Sequence, residues 1–120
     1  QFGRALAKFQ AIQQQVAMLA EDTFAARMAS SLVCDSAGVL PDVSGVAAAK
    51  VVASEAAARA SGIAHAIHGA MGITEEYDLQ LFTRRLLIWR MQYGSESYWA
   101  ARVGAALLDD GRTTWEFVRA

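Results

Sequence analysis

The sequence predicts an all-α protein, an antiparallel up-and-down helical bundle that forms one domain over residues 1–120. Apolar residues recur at steps of three and four along most of the chain, which is the spacing of a helix with one buried face. No stretch alternates between apolar and polar residues at the period of two that a half-buried strand requires. The helical stretches are joined by short connections, which favour antiparallel neighbours.

The first helix is predicted over residues 3–37, where one apolar stripe runs beside polar glutamines at 13–15. Gly38 and then Pro41 follow, in the order that is typical of a helix C-terminus. The stripe consists of Leu6, Phe9, Ile12, Val16, Leu19, Phe24 and Met28.

A second helix is predicted over residues 46–67, with Ser44 as its N-cap residue. It is rich in alanine, which has the highest helix propensity and lets neighbouring helices approach closely. Glu55 and Arg59 stand four residues apart and are expected to pair on its exposed side.

A third helix is predicted over residues 79–91 after Asp78 as cap. It is apolar on nearly every side, so we expect it to be deeply buried or to lie in an interface. Ser95 caps a fourth helix that runs to about Leu108, and a short last turn begins at Thr114.

The composition excludes several classes of protein. With 54% apolar and 19% charged residues the chain has the make-up of a folded domain, and its net charge of −1 gives no electrostatic reason to expect nucleic acid or an anionic membrane as partner. No run reaches the roughly 18 apolar residues of a membrane-spanning helix, and a cytoplasmic location is expected. The single cysteine, Cys34, excludes an internal disulfide and is expected to be an inert, half-buried thiol.

The chain starts inside a helical pattern without an initiator Met, and 54% is a high apolar content for a free-standing domain of 120 residues. We therefore expect a fragment of a longer protein. Part of its apolar surface would pack against further sequence or another subunit.

The segment from His68 to Tyr77 breaks the helical pattern with Gly69 and Gly72. A glycine within a helix costs about 1 kcal/mol relative to alanine. Two glycines three residues apart suggest that the backbone approaches something closely there. On spacing alone, the alternative is an ordinary turn between two helices.

Three stretches carry a resemblance to a known family. Residues 1–13 open with QFG and close with FQAIQ, residues 66–77 read AIHGAMGITEEY, and residues 81–96 begin with LFTRR and end with YGSE. In this order and spacing they resemble the C-terminal helical domain of acyl-CoA dehydrogenases, where the patterns read R-x-Q-F-G … F-Q … Q, Q-I-H-G-G-M-G-Y-T-E-E-Y and L-Y-R-D … Y-E-G-T-S-E. The resemblance spans residues 1 to about 108.

The resemblance implies an FAD-dependent enzyme of fatty acid or lipid metabolism that oxidises an acyl-CoA thioester to the 2,3-enoyl-CoA. It also implies a tetramer with FAD across a subunit boundary, and an electron-transfer flavoprotein as electron acceptor. Because the family's site also needs a β-domain, the isolated fragment is expected to be inactive and to bind no FAD. By analogy, the cofactor contacts are Gln1, Phe2, Gln10, Ile67, His68, Gly69, Ala70, Ser95 and Ser97.

Three positions depart from the family pattern. Ala66 replaces a glutamine and Ala70 replaces a glycine, which removes one polar contact and narrows access to the backbone. Tyr93 stands where many members carry the catalytic glutamate, and a phenol is a poor base at neutral pH. Glu96 is a candidate base by proximity only.

Three explanations for Tyr93 stay open. The base lies on a helix that would precede Gln1, or a partner chain of a heteromeric assembly supplies it, or the chain is catalytically inactive. We therefore assign no catalytic residue in residues 1–120. The alternative function is a noncatalytic helical subunit or interaction module of an acyl-CoA dehydrogenase-like assembly.

Several residues of types that often form functional sites are expected to have structural roles here. His65 and His68 have no acidic or cysteine partner at ligand spacing, so no metal site is expected. Arg84 and Arg85 are expected to pair with the adjacent Glu75–Glu76 dipeptide rather than with phosphate. The aromatic cluster of Trp89, Tyr93, Tyr98 and Trp99 favours core packing or a subunit contact over a substrate wall.

Overall fold

The computed structural model describes residues 2–35, 42–111 and 113–119, and every regular element within them is helical. This confirms the predicted all-α class. A 3-10 turn, Leu6–Lys8, precedes the first α-helix, and a second, Gly69–Ile73, follows the next one. The α-helices are α1 (Gln10–Cys34), α2 (Val43–His68), α3 (Leu79–Met91), α4 (Glu96–Asp110) and the short α5 (Thr114–Arg119).

Helices α1 and α2 form an antiparallel pair. Asp22 on α1 lies opposite Arg59 on α2, whereas Val33, farther along α1, lies beside Gly45 near the start of α2. The Asp22 carboxylate accepts hydrogen bonds from Nε and Nη2 of Arg59 at 3.0 and 2.6 Å. These bonds hold the pKa of the Asp22 carboxyl group below its ordinary value.

Helix α2 is the centre of the domain, because α1, α3 and α4 all pack on it. Helix α3 runs antiparallel to α2. The His65 imidazole Nε2 bonds to the Thr83 hydroxyl at 2.9 Å near the start of α3, and Lys50 reaches the last carbonyls of α3 at the other end.

The starts of two helices differ from the prediction, and the predicted cap of a third helix makes no capping bond. Helix α1 begins at Gln10 because Phe9 before it has an extended backbone, with φ −87° and ψ 130°, so the 3-10 turn at Leu6–Lys8 does not continue into the helix. Helix α2 begins earlier because Asp42, and not Ser44, is its N-cap: the carboxylate accepts the Gly45 N–H at 3.1 Å. Asp78 does precede α3, but its side chain makes no capping bond. The predicted stop at Gly38 and Pro41 lies outside the described residues.

The domain exposes far more surface than a compact protein of its size. Its accessible area is 8847 Å², against about 6,300 Å² for a monomer of this mass. Its radius of gyration is 17.9 Å, against about 14 Å for a compact domain. Among the described residues, Ala47 and Ala56 are the only buried apolar side chains. The helices therefore carry large apolar faces that the described chain leaves uncovered.

Helix α3 shows this most clearly. Thr83 is its one buried residue among those described, whereas Phe82 and Ile88 are 64% and 58% exposed. The expectation of deep burial is therefore wrong for the described chain, and the alternative of an interface stays a prediction. Cys34, the last residue of α1, is also exposed rather than half-buried.

Candidate functional site

The glycine-containing turn after α2 presents its backbone at Gly69 and uses Gly72 for packing. Gly69 has φ 57° and ψ −142°, a conformation that side chains rarely adopt, and there is open space where its Cβ would lie. Gly72 is buried, and a Cβ there would come within 2.9 Å of the His68 Cβ and 3.1 Å of a Leu79 methyl carbon. The first glycine leaves the backbone accessible, and the second lets α3 approach α2.

A cavity of about 310 Å³ opens beside this turn. The His68 ring contacts the Tyr77 ring with centroids 5.1 Å apart, and its Nδ1 bonds to the Ala64 carbonyl at 2.7 Å. Nδ1 is therefore the donor nitrogen. The lining residues are His68, Glu76, Tyr77, Asp78, Leu79 and Phe82.

The antiparallel register of α1 and α2 brings two groups of the predicted cofactor residues to the same end of the domain. Gln10 begins α1, and Ile67 and His68 end α2. Phe2 precedes α1, is 87% exposed and contacts the Phe9 ring edge-on at 6.3 Å. Gln1 lies outside the described residues.

Ser95 and Ser97 lie at the other end of α3, a helix of 13 residues and therefore about 20 Å long. Ser95 caps α4 as predicted, because its hydroxyl accepts the Tyr98 N–H at 3.4 Å and lies 2.9 Å from the Ser97 hydroxyl. The described residues thus separate the predicted cofactor contacts into two groups at opposite ends of α3.

The turn between α3 and α4 holds Tyr93 in an uncommon conformation. Its φ is 59°, and its side chain is 92% exposed. A non-glycine residue in this region costs about 1–2 kcal/mol. Gly94 follows with φ 103°, and a Cβ there would come within 2.7 Å of the Tyr98 ring and 2.9 Å of the Trp99 indole nitrogen.

Four side chains fix this turn. The Lys50 ammonium donates to the carbonyls of Trp89 and Arg90, at 3.0 and 3.1 Å, and so caps the end of α3. The Trp99 indole N–H donates to the Tyr93 carbonyl at 2.9 Å. Arg90 pairs with Glu96 through both carboxylate oxygens, with Nε 3.0 Å from Oε2.

The same ion pair argues against Glu96 as the base. The hydrogen bonds from Arg90 hold the pKa of the Glu96 carboxyl group below its ordinary value. A carboxylate that is stabilised in this way is a weaker proton acceptor. Glu96 ties α3 to α4.

A larger cavity of about 400 Å³ lies against this turn, between the start of α2, the end of α3 and the start of α4. Its surface is mainly apolar, with Lys50 and Gln92 as its polar members. The lining residues are Val46, Lys50, Trp89, Gln92, Tyr93 and Trp99. The aromatic cluster predicted from the sequence thus divides: Tyr98 packs on Gly94, and the other three members line the cavity.

Two expectations about arginines fail among the described residues. Arg84 donates to the Gln80 amide oxygen at 3.2 Å, and Arg85 stacks 5.7 Å from the centre of the Trp89 ring, instead of pairing with the acidic dipeptide. Both arginines lie on α3, where a side chain four residues away on the same helix face is closer than the loop that carries the two glutamates. Arg59 does contact Glu55, at 3.7 Å, but its shorter contact is with Asp22 on α1.

The structure adds Lys50 and the Arg90–Glu96 pair to the residues that shape the site. The role of Lys50 could not be predicted from the sequence, because the residue lies outside every motif and its partners are backbone carbonyls 39 and 40 residues away. Within the described part of the chain, no three potential ligands come close enough to hold a metal ion. In that same part, no helix has the length and hydropathy to cross a bilayer.

Comparison with known proteins identifies the family. The profile described as acyl-CoA dehydrogenase, C-terminal domain, matches residues 1–108. A 3-sulfinopropanoyl-CoA desulfinase from Paraburkholderia xenovorans (strain LB400) is 31% identical over 108 residues, which is 90% of this chain and 28% of that protein. No solved structure gave a significant match.

Two other relatives are named dehydrogenases. The acyl-CoA dehydrogenase IpdE2 of Mycolicibacterium smegmatis (strain ATCC 700084 / mc(2)155) is 38% identical over 71% of this chain and 26% of its own length. The (R)-benzylsuccinyl-CoA dehydrogenase of Thauera aromatica is 32% identical over 62% of this chain and 18% of its own. The chain thus spans about a quarter or less of the relatives that it matches. It belongs to the acyl-CoA dehydrogenase family, and its residues 1–108 correspond to that family's C-terminal domain.

Proposed function

We propose that this domain is part of an FAD-dependent enzyme that oxidises an acyl-CoA thioester to the 2,3-enoyl-CoA. The observation that carries the proposal is the pair of family turns, one with an open glycine backbone at Gly69 and one with Ser95 as a helix cap, on a matching scaffold. FAD, when bound, would supply the acceptor for the hydride that leaves the acyl group. Electron-transfer flavoprotein would be the next acceptor, and the predicted cytoplasmic location stays a prediction.

The residues at the glycine-containing turn suit a flat polar cofactor. Gly69 leaves its backbone open on the side where a side chain would stand, and Ala70 is exposed beside it. Gln10, exposed at the start of α1, offers an amide to the same end of the domain. Residues 67–70 with Phe2 and Gln10 would hold one part of FAD.

The start of α4 suits a neutral acceptor better than a phosphate. Free backbone N–H groups at a helix N-terminus favour acceptors. Here the first residue of the helix is the acidic Glu96, which already occupies the favourable position for an anion at this helix start. The Ser95 and Ser97 hydroxyls would therefore bond to a carbonyl at the edge of the cofactor's ring system.

The uncovered apolar faces support assembly with further polypeptide. The excess of about 2,500 Å² over a compact monomer is the size of a permanent interface. We propose that other copies of the protein, or homologous subunits, cover part of it, in line with the predicted tetramer. Because Tyr93 replaces the usual glutamate, the base would come from another segment or another subunit.

The test is to purify the protein as its gene encodes it, alone and together with any co-encoded homologue. An enzyme of this class gives a yellow preparation whose flavin absorption band bleaches when an acyl-CoA is added under anaerobic conditions. The control is the same preparation with free CoA, which has no acyl group to oxidise. A flavin band that every acyl-CoA leaves unchanged would contradict oxidation of this substrate class.

A noncatalytic helical subunit is the second candidate, and Tyr93 is the observation that favours it. Such a subunit would stay colourless alone and with every homologue, but would co-purify with one of them at a fixed ratio. Changing Tyr93→Glu separates the candidates further. If the turn faces the reacting atoms, the carboxylate restores or raises bleaching in a flavin-loaded sample, whereas a subunit without an active site gains nothing.

A further inference from the structure

We propose that the cavity beside Tyr93 binds a ring-bearing acyl group that carries a carboxylate, with Tyr93 as a specificity-determining residue. The inference rests on the proposed function for the acyl-CoA thioester. It adds the chemical class of the acyl group, which the family alone does not give.

The first observation is the cost of placing Tyr93 where it is. The residue occupies a backbone conformation that disfavours any side chain, at φ 59°, and its ring is 92% exposed. A strained residue persists only when its surroundings fix it, and such residues cluster at ligand contacts. Among the described residues, the Tyr93 ring has almost no packing contacts that would offset the cost of its strained backbone.

The second observation is how firmly the turn is held. Lys50 binds the carbonyls on one side, and the Trp99 indole binds the Tyr93 carbonyl itself. Gly94 next to it has no room for a side chain. The Tyr93 ring is therefore presented from a rigid frame, and rigid aromatic side chains bind with little loss of conformational freedom.

The third observation is the lining of the cavity. A volume of about 400 Å³ falls in the range of small-molecule sites, which are mainly apolar with a few placed polar groups. Trp89, Tyr93 and Trp99 offer three aromatic surfaces, which prefer a ring to a straight chain because ring pairs gain energy beyond the area they bury.

The fourth observation is the charge at the cavity. A lysine ammonium has three donors, and Lys50 uses two of them for backbone carbonyls. The nearby Glu96 is paired with Arg90 and also interacts electrostatically with Lys50, so two positive charges face one negative charge around this turn. The remaining donor and the charge of Lys50 thus favour an anionic group on the ligand, so a ring with a carboxylate complements the cavity better than an uncharged ring.

The test measures equilibrium binding of three probes to the protein as its gene encodes it. The probes are 3-phenylpropanoate, octanoate and 3-phenylpropanamide, and the readout is quenching of tryptophan fluorescence, since Trp89 and Trp99 line the cavity. None of the probes contains CoA, so binding does not depend on catalysis. We expect 3-phenylpropanoate to bind at least tenfold more tightly than octanoate and at least threefold more tightly than the amide.

The key variant is Tyr93→Gly, with Phe24→Ala as its matched control. Glycine relieves the backbone strain at this position, so the melting temperature should stay equal or rise. Binding of 3-phenylpropanoate should nevertheless weaken about tenfold, and that of octanoate less than threefold. Phe24 is an exposed aromatic residue on α1 that does not line the cavity, and its truncation should change binding less than twofold.

The outcomes separate this inference from the proposed function. Equal binding of the ring and chain probes, no binding of any probe, or an unchanged preference in Tyr93→Gly would each overturn the inference. Flavin bleaching by straight-chain acyl-CoA alone would overturn it too, while leaving the proposed enzyme in place. The predicted probe preference in a colourless protein would support the site and remove the enzyme assignment.

Discussion

Replacing Gly94 by alanine is predicted to destabilise the domain strongly, and the reason lies in two separate features of the turn. The φ of 103° at Gly94 is strained for any residue with a Cβ, which costs about 1–3 kcal/mol. The new methyl group would also stand 2.7 Å from a carbon of the Tyr98 ring and 2.9 Å from the Trp99 indole nitrogen. Carbon atoms in contact are normally about 3.5–4.0 Å apart.

The two aromatic rings have little freedom to move away. The Trp99 indole is held by its hydrogen bond to the Tyr93 carbonyl, and Tyr98 is held by its contacts with Trp99 and Arg102. Overpacking of this kind costs about 1–3 kcal/mol. Together the two effects predict a loss of about 2–6 kcal/mol in the free energy of unfolding.

The matched control is Gly62→Ala, within the C-terminal half of α2. A Cβ there meets open space, so the change only improves helix propensity, by about 0.5–1 kcal/mol. For a cooperative unit of this size, 1 kcal/mol corresponds to about 4 °C in melting temperature. We therefore expect Gly94→Ala to melt roughly 8–24 °C below the parent protein, and Gly62→Ala to melt about 2–4 °C above it.

Urea unfolding followed by tryptophan fluorescence measures both variants in the protein as encoded. A Gly94→Ala variant within about 0.5 kcal/mol of the parent protein would refute the reasoning, because neither the backbone strain nor the close contacts would then exist. A destabilised Gly62→Ala variant would show that a surface absent from the described residues packs on that face of α2.

Three further predictions test contacts of the α2 helix. The pKa of Asp22 is lowered in the folded state, so its pair with Arg59 stabilises the fold fully above the ordinary pKa of 3.8. This stabilisation is lost as the pH falls below that value. The stability gap between the parent protein and Asp22→Asn should thus be constant from about pH 5 to 7 and shrink toward pH 3, and a gap that widens in acid would contradict it. Thr83→Val keeps the shape of a side chain that is only 3% exposed, but it leaves the half-buried His65 without its hydrogen-bond partner. The variant should therefore lose about 1–3 kcal/mol in the free energy of unfolding, measured in urea. A neutral effect would mean that water replaces the bond. Gly72→Ala should cost about 1–3 kcal/mol by pushing α3 from α2, and hydrogen exchange should then rise first in α3; protection equal to the parent protein would argue against this close packing.

A helix could be predicted from the sequence where the residues that define it lie close together along the chain. Residues 79–91 were predicted to be helical and are, because an unbroken run of helix-compatible residues lies between Asp78 and Gly94 within one short stretch. The start of α1 was missed because it depends on the extended backbone of Phe9, a residue that fits the apolar stripe and that no periodic pattern marks as a helix boundary. Asp42 and Ser44 are both good N-cap residues two positions apart, and only the geometry of the chain decides which one accepts the N–H.

The features of the candidate site also differ in whether they could be predicted from the sequence. The glycines, the Ser95 cap and the Tyr93 substitution could be found in the sequence, because each is a residue type at a fixed offset within a motif. The Lys50 cap of α3, the Asp22–Arg59 pair and the ion pair that removes Glu96 from consideration could not. The first two join residues almost 40 positions apart, and the third depends on the path of the turn between two helices.

By itself, the sequence determined the all-α class and the acyl-CoA dehydrogenase family, since helical periodicity and motif spacing are properties of neighbouring residues. The tertiary structure alone decided that Tyr93 projects from a rigid turn beside an aromatic cavity, and that most apolar side chains of α3 remain uncovered. Those features arise where helices meet. Direction and burial there depend on which residues distant in the chain become neighbours, and a linear pattern does not carry that information.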